Sequence, residues 1–144
     1  MYKRQIVTSG ANIAIELSQR SRSTVSCVGG QISSSTLSLS GPQAEAFLAT
    51  VNIDTAVLAA TGYSTGAGFT VGSYTENSLK RRVIQKADKV ILLIDRSKLG
   101  RTLPFTFASL SDIDVVICDA PLPEDFIQAA RAAGTEVLQV QPAK

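Results

Sequence analysis

The sequence predicts an α/β protein built on a mainly parallel, Rossmann-like sheet, and three observations carry that prediction. In Asp88–Gly100, DKVILLIDRSKLG, the unbroken apolar run from Val90 to Ile94 is too short for an ordinary helix and mostly branched. Such a run suits a parallel strand covered on both faces. It stops abruptly at Asp95, Arg96, Ser97 and Lys98, so the strand would deliver a carboxylate, a hydroxyl and an ammonium to the carboxyl edge of the sheet, where open α/β folds place ligands. The pattern recurs elsewhere: Ala56–Ala60 runs into Thr61 and Gly62, Val115–Cys118 into Asp119, and Ile6–Val7 into Thr8, Ser9 and Gly10. From Pro42 onward, strand-like runs alternate with helical stripes without a break.

Each element has its own signal. Gln5–Ser9 reads as a strand and Ala11–Arg20 as a helix, with Ala14, Leu17 and Ile13 as its apolar side. Thr24–Val28 is a strand closed by Gly29-Gly30, a turn signal. Ser33–Thr36 is a hydroxyl-rich connection, and Leu37-Ser38-Leu39-Ser40 alternates as a short half-exposed strand does. Pro42 opens a helix whose stripe is Ala44, Phe47, Leu48 and Val51. The strand Thr55–Ala60 leads into Thr61–Gly72, TGYSTGAGFTVG, which reads as a glycine-rich loop, and then into a helix from about Tyr74 to Ala87. Leu99–Leu110, with Pro104, reads as an irregular or partly helical connection. Asp114–Cys118 is a strand, Pro123–Ala133 a helix stopped by Gly134, and Glu136–Gln141 the last strand.

Composition bounds the function. The 144 residues suffice for one domain with a real core, and 44% hydrophobic with 18% charged residues excludes disorder. No apolar stretch approaches the roughly 18–20 residues that span a bilayer, and no signal-peptide pattern opens the chain. A net charge of +2, from 14 basic and 12 acidic residues, implies no general attraction to nucleic acid or membrane. Cys27 and Cys118 have no CxxC partner and read as buried free thiols in a reducing cytoplasm. With no histidine, the chain cannot build a Ser-His-Asp or Cys-His arrangement by itself, and no metal or cofactor is expected. The opening MYKRQ matches the translation of transposon-adapter DNA, so Met1–Gln5 are expected to be a non-native scar.

Several residues could carry chemistry. Gly62, Gly66, Gly68 and Gly72 would let backbone N–H groups approach an anion, although their spacing is neither a Walker loop nor GxGxxG, and a plain flexible loop is equally compatible. Ser73-x-x-Glu76 has capping-box spacing, so Glu76 either caps the helix or meets a ligand hydroxyl. Lys80, four residues on, offers an i,i+4 pair. The basic run from Lys80 to Lys89 reads as a solvated helix face, since no aromatics interleave with it. Lys98 is the sharpest candidate, because just beyond a buried strand its ammonium would bind a phosphate as a point charge. Asp95 would accept a sugar hydroxyl or orient Lys98, and Ser97 belongs to the same group. Asp119 is weaker, since Asp after a strand often begins a turn. Thr8 and Ser9 either cap the following helix or hold an anion at its start.

These pieces occur in a familiar order. VTSGANIAIELS, the strand ending in Gly29-Gly30, the Ser40-Gly41-Pro42 turn, TGYSTGAGFT, Glu76 with Lys80, DRSK and the Cys118-Asp119 strand end together resemble the C-terminal sensor domain of DeoR/GlpR-type bacterial transcriptional regulators. The similarity covers nearly all of the chain after Gln5. It implies the fold of ribose-5-phosphate isomerase, glucosamine-6-phosphate deaminase and CoA transferases, and a phosphorylated sugar or related effector bound at the carboxyl edge of the sheet. It also implies a homo-oligomer whose effector controls DNA binding by an N-terminal helix-turn-helix. By position, the implied ligand contacts are Thr8, Ser9, Gly29, Gly30, Thr61, Gly62, Gly68, Glu76 and Lys98. The chain departs from the family pattern in lacking the helix-turn-helix and the Asp-x-Gly-Thr-Thr phosphate loop expected before Ile6. Thr8-Ser9-Gly10 also stands where Thr-Asn-Ser is usual. Residues 6–144 are therefore expected to be a sensor domain with an incomplete pocket.

The leading expectation is a non-catalytic effector-sensing module. The alternative is a phosphosugar isomerase or deaminase with Glu76 as base and Lys98 or Lys80 stabilising an enediolate. A plain structural domain is a third reading, and DNA binding by this chain itself is not expected.

Overall fold

The computed structural model describes residues 4–141. The chain divides after Val51 into two compact units. Of the expected scar, Met1–Lys3 lie outside the described residues, and Gln5 begins the first strand.

In the first unit, β1 (Gln5–Thr8), α1 (Ala11–Arg20) and β2 (Thr24–Cys27) form a parallel strand–helix–strand unit in which Gln5 pairs with Thr24 and Thr8 with Cys27. A small antiparallel pair, β3 (Gln31–Ile32) with β4 (Leu39–Ser40), precedes α2 (Pro42–Ala49). Helix α2 has Pro at its start and buries Ala44 and Leu48, as its stripe predicts. Helix α1 differs from expectation, since Ala14 and Leu17 are half-buried while Ile13 is 46% exposed. Cys27 also differs: its thiol is free as expected, but the residue is exposed because it ends its strand.

The second unit holds β5 (Ile53–Ala59), β6 (Gly62–Ser64), β7 (Gly68–Val71), α3 (Tyr74–Lys86), β8 (Ala87–Ile94), β9 (Phe105–Ala108), β10 (Val115–Asp119), α4 (Glu124–Ala133) and β11 (Glu136–Val140). Strands β11-β10-β8-β5 make a four-stranded, all-parallel sheet, with Val57 level with Ile91 and Ile91 level with Val115. Helix α4 follows Pro123 and ends at Gly134, whose φ of 78° is left-handed, as the sequence predicts.

Two expectations are corrected. TGYSTGAGFTVG is not a loop but the hairpin β6–β7, with Tyr63 opposite Phe69. Leu99–Leu110 supplies β9, which pairs antiparallel with β7 and completes a three-stranded sheet. Strand–helix alternation is therefore broken between β5 and α3, and again between β8 and β10. Apolar alternation at Tyr63, Phe69 and Val71 drives the hairpin, because all three enter the core beside Phe107 and Ala108.

Coverage of the parallel sheet is one-sided. The residues Val90, Leu92, Ile94, Val116 and Cys118 face the core, where Phe69, Phe107 and Phe126 pack. The alternate residues Val57, Leu93, Leu138 and Val140 are 60%, 43%, 44% and 46% exposed. The expectation that β8 is covered on both faces is therefore not met in this unit. Strand order explains the asymmetry. The chain steps in one direction from β5 to β8, β10 and β11, and right-handed crossovers taken in one direction all fall on the same face.

Candidate functional site

The carboxyl ends of β5, β8, β10 and β11 border a wide-open hollow of about 450 Å³ in the second unit. Ala59 and Ala60, Leu93 to Asp95, Lys98, Ile117 to Asp119 and Val140 line it. Its floor is aliphatic, and its rim carries two carboxylates and one ammonium. The hollow lies at the carboxyl edge of the sheet, the edge at which open α/β folds hold ligands, although the order β5, β8, β10, β11 has no reversal in this unit.

The rim is built by a short helical turn, Arg96–Lys98, that follows β8. Asp95 caps the turn, with Oδ1 accepting from the Ser97 amide at 2.9 Å and also from the Ser97 hydroxyl. The Ser97 hydroxyl bond holds the Asp95 carboxyl below the usual carboxylate range. Asp119, at the end of β10, accepts from the Arg96 amide at 2.6 Å and from Arg96 Nε at 3.2 Å. Those bonds, the backbone one first, likewise lower its pKa. Both carboxylates are thus ionised and already occupied by donors. Lys98 is different, since among the described residues its ammonium makes no ion pair. Cys118 lies between the strand and the rim, and burial pushes its thiol up to about 11, which keeps it protonated and a poor nucleophile near neutrality.

Of the residues singled out in the sequence, Asp95 and Lys98 line the hollow, and Ser97 supports Asp95 from behind. Thr61, Gly62, Gly68 and Glu76 do not line it. The Thr61 amide donates to the Thr70 carbonyl at 3.1 Å. Gly62 and Gly68 have packing roles. A Cβ on Gly62 would stand 2.6 Å from the Arg101 carbonyl oxygen, and one on Gly68 would stand 2.5 Å from that of Ala108, with φ at +77°. Glu76 is paired with Lys80 at 3.5 Å, while its amide donates to Ser73 Oγ at 3.5 Å, a weak version of the expected cap.

The remaining candidates belong to the first unit. Thr8 Oγ1 accepts from the Gly10 amide at 3.0 Å, a local turn into α1, whose start has no side-chain cap. The Ser9 carbonyl accepts from the Leu39 amide at 2.7 Å. Gly29 and Gly30 follow β2 with φ of 78° and 97°.

Sequence reasoning passed over two features. Arg96 was not separated from its neighbours, although its position two residues after Ile94 puts its amide level with the end of β10. Lys80 was assigned to a solvated helix face. Instead its side chain is 15% exposed and its Nζ donates to the Ala59 carbonyl at 2.5 Å. Nothing in an i,i+4 spacing signals that burial.

The sequence is similar to those of known proteins. A family profile described as the DeoR C terminal sensor domain matches residues 2–120. The chain is 36% identical to the HTH-type transcriptional regulator GlpR of Haloferax volcanii, over 92% of this chain and 51% of that protein. It is 30% identical to the HTH-type transcriptional repressor GlcR of Bacillus subtilis, over 92% and 51% respectively. It is 28% identical to the glycerol-3-phosphate regulon repressor of Escherichia coli, over 86% and 49%. The chain thus spans about half the length of the curated relatives it matches. A profile that covers most of the chain and relatives of 30% identity and above show the family: the chain belongs to the DeoR C-terminal sensor domain family.

Proposed function

We propose that this chain is the effector-binding part of a transcriptional regulator and takes a phosphorylated sugar or related metabolite at the hollow bounded by β5, β8 and β10. The carrying observation is the charge arrangement at the rim. Asp95 and Asp119 are occupied by Ser97 and Arg96, which leaves the Lys98 ammonium as the cation available to an incoming anion. In this reading Lys98 binds the phosphoryl group as a point charge, and lone pairs left on Asp95 accept a hydroxyl of the ligand.

Binding acts by selection between arrangements of a homo-oligomer, and that preference reaches DNA through a helix-turn-helix carried elsewhere in the full-length regulator. The relatives' names, as regulators and repressors of the HTH type, support this assignment. The isomerase or deaminase reading has less support, because Glu76, its candidate base, is engaged with Lys80 and lies outside the hollow's lining.

The test is a thermal-shift panel of triose, pentose and hexose phosphates. A true effector at a hundredfold excess over its Kd stabilises the fold by about 2.7 kcal/mol. A panel that leaves the midpoint unmoved, while the chain is demonstrably folded, would refute the proposal.

A further inference from the structure

A carboxylate in the wall of a hollow that takes an anion is out of place, because its charge repels the ligand. Asp119 is such a group, at the end of β10 and among the residues that line the hollow. An Asp after a strand often starts a turn, but among the described residues Asp119 does not serve that purpose. The Ala120 amide donates to the Val140 carbonyl at 2.8 Å, the Leu122 amide donates to Gln139 Oε1 at 3.1 Å, and Pro121 has no N–H to give. Both Asp119 oxygens are turned instead on Arg96, 23 residues back in the chain. Oδ1 accepts the Arg96 amide at 2.6 Å and Oδ2 accepts Arg96 Nε at 3.2 Å, with the Cys118 thiol a weak further donor to Oδ1 at 3.6 Å.

Arg96 opens the turn Arg96–Lys98, which carries the ammonium of the rim. Three residues of this tight helix hold themselves poorly, since their hydrogen-bond geometry is inferior to that of an α-helix. The turn's own bonds run from the Lys98 amide to the Asp95 carbonyl at 3.0 Å and from the Leu99 amide to the Arg96 carbonyl at 3.1 Å, beside the Asp95 cap on Ser97. All of these are local. Asp119 ties the entry of the turn to β10, and β6 ties its exit, where the Gly100 amide donates to the Tyr63 carbonyl at 2.8 Å. Lys98 stands between the two anchors, on a long flexible stem whose base only the turn can fix.

We infer that Asp119 is a positioning residue, which by holding the amide and guanidinium of Arg96 fixes the turn that presents the Lys98 ammonium to an anionic ligand. Its own charge is neutralised by Arg96, which reconciles a carboxylate with an anion's hollow. The inference rests on the effector-binding reading and adds to it a residue that acts through Lys98.

Inorganic phosphate and glycerol 3-phosphate are titrated into the isotopically labelled wild-type chain, Asp119→Ala, Lys98→Ala and the double variant, with affinities read from amide resonances. Two explanations of Asp119 predict opposite signs. A bare negative charge in the wall predicts tighter binding in Asp119→Ala. Positioning predicts binding weaker by about fivefold, and no further loss when Asp119→Ala is added to Lys98→Ala, since the group it positions is gone. The Arg96 amide proton, drawn downfield by its bond to a carboxylate, moves upfield in Asp119→Ala. In Asp119→Asn, which keeps an oxygen for that amide, it moves less and more of the affinity survives. Dispersed resonances establish that each variant is folded, and Asp119→Asn carries the same comparison with Lys98→Ala if Asp119→Ala does not fold. Unchanged or tighter binding on loss of Asp119, or an equal loss with and without Lys98, overturns the role given to Asp119, while weaker binding by Lys98→Ala preserves the effector reading. If neither probe moves any resonance of the wild-type chain, the effector reading fails and this inference falls with it.

Discussion

Lys80 carries a measurable signature at the level of a single proton. Burial lowers its pKa, an effect opposed but not cancelled by Glu76. The unfolded chain therefore holds this proton more tightly than the folded one between the depressed value and the ordinary lysine value of about 10.4. Stability should rise with pH across that window, and be indifferent to this group below it. Urea unfolding at stepped alkaline pH should show the extra upward slope in the wild-type chain relative to Lys80→Met/Glu76→Gln. Equal slopes would mean the ammonium is not desolvated. A second residue-scale prediction concerns Asn77, which is 5% exposed and whose Nδ2 has no hydrogen-bond partner among the described residues. Replacing it with Ala removes an orphaned donor, so Asn77→Ala should be neutral or stabilising by up to about 1 kcal/mol. A loss above about 2 kcal/mol in chemical denaturation would show that the amide is satisfied after all.

Among the elements, β8 has two unlike faces, and substitutions should report the difference. Leu92 is fully buried, so Leu92→Ala should cost about 2–5 kcal/mol. Val57, level with Ile91 on the other face and 60% exposed, should tolerate Thr within about 0.5 kcal/mol. Denaturant midpoints measure both, and a similar cost at the two positions would contradict one-sided coverage. The same strands show how far elements were legible. The runs at Val90–Ile94 and Val115–Cys118 and the stripe from Pro42 were legible because local pattern and tertiary packing agree there. The hairpin β6–β7 was not, because its glycines suggested a loop. Gly62 and Gly68 are instead required by close approach to the backbones of Arg101 and Ala108, partners 39 and 40 residues away in sequence. β9 was obscured by Pro104 for a related reason, since its pairing with Phe69–Val71 is entirely non-local.

On the scale of the molecule, the stepwise order β5, β8, β10, β11 settles on which face of the parallel sheet the core of the second unit lies. Asp95, Ser97 and Lys98 were legible as a group because an apolar run that ends in charge at a strand's carboxyl end points to the sheet edge. Their division of labour was not legible, since only the folded rim shows Asp119 reaching Arg96 while Lys98, near Asp95, makes no ion pair among the described residues. The account stands or falls on that ammonium. The most direct test is a calorimetric titration of the best phosphate ester from the panel into the wild-type chain and into Lys98→Ala. A charge-assisted contact predicts that the Lys98→Ala variant, with an unchanged unfolding midpoint in the absence of ligand, loses at least about tenfold in affinity. Equal affinity in the two proteins would contradict the assignment of this hollow as the effector site.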